Sequence, residues 1–223
     1  MTDLVYLNFS VFSSAGYGDI LSEKTTEDEG MNICVYGASS TRLAAGYYDA
    51  ARELGREIAR RGHTLIFGGG ERGLMGACAE GAAEYGGRIV GVAPRFFDEP
   101  GILRRDCAEF IYTDTMRERK AVMDERSDAI IAMPGGIGTY EELFEMLTAK
   151  QLGLHAKPMV LLNTLSCYSP LMALLEKCAE DGFMSEKCME LFSVCSLPSE
   201  AVDAAEKPSA VTGSVKKLED YAK

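Results

Sequence analysis

Apolar residues follow two alternating rhythms along the chain. Short unbroken apolar runs at 32–36, 64–67, 88–93, 108–112, 128–133 and 158–162, with a weaker one at 192–196, read as β-strands. Between them, stretches with helical spacing occupy 42–61, 73–85, 114–127, 139–152 and 169–181. The runs Ala129-Ile130-Ile131-Ala132-Met133 and Met159-Val160-Leu161-Leu162 show no polar alternation. Strands of that kind are buried on both faces, as in a parallel sheet covered by helices. The stretch 73–85 carries small apolar residues (Ala77, Cys78, Ala82, Ala83), as tight packing of a helix on a sheet requires. The polar tail beyond Pro198 predicts one more surface helix. Alternating strands and helices predict a single α/β domain over 31–223: a Rossmann-like, doubly wound parallel sheet with helices on both faces. Ligands are expected at the C-terminal strand ends. Residues 1–30 end in Glu27-Asp28-Glu29 and Gly30 and are read as an N-terminal extension, expected to be disordered.

Composition narrows the functional classes. With 223 residues, 47% hydrophobic and 26% charged, the chain resembles an ordinary globular protein. No apolar run reaches the roughly 18 residues of a membrane helix. The first cation is Lys24, too late for a secretory signal. A net charge of -11 opposes nucleic-acid binding, which needs a basic face. Seven cysteines without C-x-x-C spacing and only two histidines, His63 and His155, suggest reduced thiols and no metal centre. The expectation is a cytoplasmic protein with no nucleic-acid or membrane partner.

Three strands end in glycine-rich turns that open helices. They are Gly37-Ala38-Ser39-Ser40, Gly68-Gly69-Gly70-Glu71-Arg72-Gly73-Leu74-Met75-Gly76 and Pro134-Gly135-Gly136-Ile137-Gly138-Thr139. Such turns let a ligand approach the backbone, and the helix behind each aims unpaired N–H groups at an anion. Glycines also make tight turns for purely structural reasons, but three on one rim favour a phosphate site. Gly68-x-Gly70-x-x-Gly73 formally matches a dinucleotide fingerprint. The next strand, however, ends in Ala93-Pro94-Arg95, where that fingerprint wants an acid. No G-x-x-x-x-G-K-[ST] is present, so a nucleoside triphosphatase is not supported.

Two charged clusters fall on the same rim. Thr139-x-x-Glu142 reads by spacing alone as a helix capping box, with Glu141 as a solvated first-turn acid. Met116-Arg117-Glu118-Arg119-Lys120 reads as a solvated helix face, with a second capping box at Thr115-x-x-Glu118. The competing reading sets Arg119 and Glu142 opposite one another across a phosphate-sized hollow. That pairing suits cleavage of an N-glycosidic bond, whose transition state has an oxocarbenium-like sugar and a departing base.

The segment Pro134-Gly135-Gly136-Ile137-Gly138-Thr139-Tyr140-Glu141-Glu142 resembles the P-G-G-x-G-T-x-x-E signature of the Lonely Guy (LOG) family. Met116 to Lys120 resembles that family's M-H-x-R-K motif, and the similarity extends from Met31 to Cys195. The resemblance implies a homodimer that hydrolyses cytokinin riboside 5'-monophosphates or AMP without a cofactor. It also implies that Arg119 and Glu142 are the catalytic pair. Substrate contacts would come from Met116, Lys120, Gly136, Gly138, Thr139, Glu141 and Thr148. Gly37 and Ser39 would be further substrate contacts, while Gly135 and the Gly68–Gly70 turn, with Gly69 and Gly70, would line the phosphate side. Arg117 replaces the family histidine, and Ala38 stands where some members carry serine. Relatives have been labelled lysine decarboxylases, yet no lysine here sits in a pyridoxal phosphate context. The alternatives are a non-catalytic carrier of a nucleotide or phosphorylated cofactor and, more weakly, a dinucleotide-dependent oxidoreductase.

Overall fold

A computed structural model describes residues 30–209. The N-terminal extension, except Gly30, lies outside the described residues. In chain order the elements are β1 (Asn32–Tyr36), α1 (Ala45–Arg60), β2 (Thr64–Phe67), α2 (Gly73–Glu84), β3 (Ile89–Pro94), β4 (Glu109–Thr113), α3 (Met116–Arg126) and β5 (Ala129–Ala132). They continue with α4 (Ile137–Gln151), β6 (Met159–Leu162), α5 (Ser169–Glu180), β7 (Ser193–Cys195) and α6 (Pro198–Ala205). The seven strands form one sheet in the order β4-β3-β2-β1-β5-β6-β7, and every neighbouring pair is parallel.

The period-two geometry of a strand divides the core into two layers. Ile33 and Val35 of β1 point to one face, where they join Leu54 and Ile58 of α1, Leu74 of α2 and Val202 of α6. Cys34 and Tyr36 point to the other, with Met123 of α3, Leu143 of α4 and Leu175 of α5. Both faces are therefore covered, which is why the strands lack polar alternation. On the first face α1 and α2 touch backbone to backbone. A Cβ added at Gly55 would collide with the Cys78 carbonyl, and one at Gly81 with that of Arg52. The small residues of α2 make this approach possible.

Two expectations need correction. The last helix is more than a surface element: Ala201, Val202 and Ala205 are fully buried, so a short apolar stripe sits inside a polar-looking tail. It is also tied down electrostatically, through Arg61 to Asp203 (2.6 Å) and Glu206 (3.2 Å). The helix expected from residue 139 begins at Ile137, with Gly136 as its N-cap. Among the described residues no helix is long and apolar enough to cross a membrane.

The position of β1 sets the site. Its neighbours are β2 and β5, and the chain leaves β1 for one face (α1) but leaves β5 for the other (α4). The two connections diverge and open a crevice at the C-terminal strand ends, the position where such sheets bind ligands.

Candidate active site

A cavity of about 650 Å³ occupies this crevice. Its walls come from the turns after β1, β2 and β5, from Met116 and Arg119 of α3, and from Glu141 and Glu142 of α4. The first turn of α4 faces the cavity. Its first intrahelical bond runs from the Tyr140 N–H to the Gly136 carbonyl (3.0 Å), so the N–H groups of Ile137, Gly138 and Thr139 have no intrahelical acceptor. With the partial positive charge of the helix end, they favour an anion.

Arg119 and Glu142 meet at the cavity wall. The Nη1 of Arg119 donates to Oε1 of Glu142 at 2.5 Å, and its Nε donates to the Val92 carbonyl at 3.2 Å. Both side chains are nearly buried, with 7% and 11% of their surface exposed. The guanidinium fits because residue 68 is glycine: a Cβ there would overlap its Nη2. Burial pushes the Glu142 carboxyl above the usual glutamate range, and the adjacent Arg119 charge opposes that rise. Next to this pair, Lys120 bridges Glu141 and Glu145 (2.5 Å to the latter), fastening α3 to α4.

This geometry revises two expectations. Thr139 lies inside the first turn of α4 and does not cap it, and Glu142 is committed to Arg119. The capping-box reading of Thr139-x-x-Glu142 therefore fails. The two charged groups are also in direct contact, with no hollow between them. A tight ion pair gains more from contact than from facing across open solvent. At α3 the capping expectation is met in modified form. The Thr115 hydroxyl accepts from the Glu118 N–H (3.1 Å), while the Glu118 carboxylate accepts from Asp114 N–H (2.9 Å).

Of the residues singled out from sequence, Gly37, Ser39, Gly70, Met116, Gly136, Gly138, Thr139 and Glu141 line the cavity with Arg119 and Glu142. Four lie off its wall. Gly69 backs onto the Phe110 ring, and Gly135 packs against the Thr139 side chain. Lys120 is engaged by its two glutamates, and Thr148 is exposed further along α4. The remaining wall was missed by sequence reasoning. Residues 95–106 fold over the crevice and contribute Phe97, Ile102 and Leu103. This covering segment is joined to the β2 turn by a bridge between Gly70 and Leu103. The Glu71 N–H also donates to the Ile102 carbonyl (2.9 Å), and the Arg104 N–H to that of Gly69 (2.9 Å). It has no helical or strand periodicity, so only the density of apolar residues in a polar loop could have marked it. Arg72 also lines the cavity, and its place in the glycine-rich turn was the available signal.

No lysine lines this cavity among the described residues. Nor does any group of three or more His, Cys, Asp or Glu side chains converge as a metal site would.

Comparison with known proteins gives consistent matches. The family described as "Possible lysine decarboxylase" matches residues 75–205. The cytokinin riboside 5'-monophosphate phosphoribohydrolase LOG1 of Arabidopsis thaliana is 40% identical over 195 residues, covering 87% of this chain and 85% of its own. LOG3 of the same plant is 37% identical over 204 residues, covering 92% and 89%. Among solved structures, the molybdenum cofactor carrier protein of Chlamydomonas reinhardtii superposes with a TM-score of 0.60 and 27% identity. That match covers 78% of this chain and 95% of the carrier.

Proposed function

The chain belongs to the Lonely Guy (LOG) family, and on that premise we propose that it hydrolyses the N-glycosidic bond of a nucleoside 5'-monophosphate, releasing free base and ribose 5-phosphate. The observation that carries this reading is the buried contact between Arg119 and Glu142, on the wall of a cavity that also holds a helix N-terminus. The phosphate sits on the first turn of α4. The ribose then lies towards Glu142, which follows in the next turn. As the bond from C1' to the base nitrogen breaks, the bonding pair leaves with the base and positive charge develops on the sugar. The Glu142 carboxylate stabilises that charge. It also accepts a proton from the water whose oxygen bonds to C1'. That proton passes on to the departing base nitrogen, so the base leaves neutral and the carboxylate is ionised again. Arg119 favours the ionised form of the acid and offsets negative charge on the leaving base. The apolar wall from Met75, Phe97, Ile102 and Leu103 takes the base.

AMP and N6-substituted counterparts such as isopentenyladenosine monophosphate are the proposed substrates. The proposed working form is a cytoplasmic homodimer that needs no cofactor. Chromatography of reactions with either nucleotide tests the activity. Wild-type protein should release base, and Glu142→Ala, still folded by circular dichroism, should not. Full activity in that variant would refute the mechanism.

Similarity to the molybdenum cofactor carrier favours one second reading, a carrier that holds a phosphorylated ligand without turnover. Calorimetric binding of AMP with no base released over hours would select it.

A further inference from the structure

Four charged side chains line the cavity, and three of them are already matched. Arg119 pairs with Glu142, and Glu141 pairs with Lys120. The fourth is Arg72, the N-cap residue of α2. No ion pair joins it to a carboxylate among the described residues. Its Nη2 lies 3.2 Å from where a Cβ on Gly101 would stand, so the guanidinium borders a residue without a side chain in the covering segment.

The sheet order shows which elements share the cavity rim with this cation. Arg72 follows β2 and the first turn of α4 follows β5, and only β1 stands between those strands. Two strand spacings, roughly 10 Å, separate the ends of β2 and β5. The β1 turn, with Gly37 and Ser39 on the cavity wall, lies between them. An anion resting over that turn is within reach of α4 from one side and of an arginine side chain from the other. The need for such a cation is electrostatic. The whole chain carries -11, two glutamates line the cavity, and the helix end alone offers only about half a unit of positive charge to a phosphate dianion.

We infer that Arg72 is a specificity residue that grips the 5'-phosphate from the wall opposite α4, selecting phosphorylated substrates. The inference rests on the nucleoside monophosphate reading above. Arginine suits the task because its planar fork binds phosphate oxygens bidentately, which the point charge of lysine does not.

Arg72→Ala and Arg72→Lys test it, with steady-state release of adenine from AMP, inhibition by ribose 5-phosphate and calorimetric binding of AMP. The alanine variant should raise KM by about tenfold to a hundredfold, the range of a lost charge-assisted contact. Inhibition by ribose 5-phosphate should weaken in parallel, with kcat changed by less than about twofold if the contact is held equally in ground and transition states. Lysine should recover part of the loss. Unchanged KM and unchanged inhibition in Arg72→Ala would overturn the inference, and so would a fall in kcat at constant KM, the mark of a structural role. If wild-type protein releases no base, the hydrolase reading fails and calorimetry decides alone. AMP bound more weakly by Arg72→Ala would still support the grip. Equal affinity, or no AMP binding by the wild type, would overturn it.

Discussion

Arg119 lies across Gly68, occupying the space where any side chain at residue 68 would begin. The glycine that follows β2 therefore serves a residue on helix α3, 51 positions later by numbering. Replacing it is a direct way to move the guanidinium without touching its chemistry. Gly68→Ala should displace Arg119 from Glu142 and lower kcat by about a hundredfold, the typical effect of shifting a catalytic group by an ångström. Circular dichroism should report a retained fold. Wild-type kcat in Gly68→Ala would show that the position of Arg119 does not depend on this gap.

The same ion pair predicts a stability effect. Glu142→Ala leaves a nearly buried guanidinium without its carboxylate, which should cost about 3–5 kcal/mol in urea denaturation. Arg119→Met combined with Glu142→Leu removes both charges and should recover most of that loss. A double variant as unstable as Glu142→Ala would mean that packing, rather than the stranded charge, sets the penalty.

Activity should rise with pH through the ionisation of Glu142. Because burial raises this carboxyl, the acid limb of kcat/KM should lie above the ordinary glutamate value of 4.5. Arg119 opposes the rise, so Arg119→Ala should push the limb further towards alkaline pH in whatever activity remains. Stability runs the other way. The folded state holds this proton more tightly than the unfolded chain, so the contribution is full below the unfolded value and is lost as pH rises through the folded one. A limb that stays at or below 4.5 in both proteins would contradict this.

Lys150 gives an independent pH test far from the cavity. It is buried at the end of α4, donates to the Leu191 carbonyl at 2.7 Å, and is pushed down to about 8 by desolvation. Its amine binds a proton less readily when folded, so its contribution to stability grows as pH rises from about 8 towards the ordinary value of 10.5. Denaturation of wild type and Lys150→Met between pH 7 and 10 should show a difference that changes with pH in that window. A constant difference would mean the amine ionises normally.

Much of the fold was legible because its strands are covered on both faces. An unbroken run such as Ala129-Ile130-Ile131-Ala132 can hardly be anything but a central parallel strand. The start of α4 was misplaced because Gly136 gives no side-chain capping signal, whereas Thr139 and Glu142 imitate one at the correct spacing. Arg119 and Glu142 could be placed on one rim from topology, but their contact depends on how α3 and α4 pack, which spacing does not encode. The residues over the crevice stayed invisible for a simpler reason. Phe97 ends a single 3-10 turn (Arg95–Phe97), and Ile102 and Leu103 lie outside any helix or strand run, so neither of the two periodicities marks them.

The fastening of that segment to residues 69–71 is main chain to main chain. Peptide groups are common to every sequence, so the attachment does not depend on which side chains the roof carries. Phe97 and Ile102 can thus be exchanged for larger or smaller groups while the roof keeps its seat. If the roof takes the base as proposed, base preference can be engineered separately from the chemistry beneath.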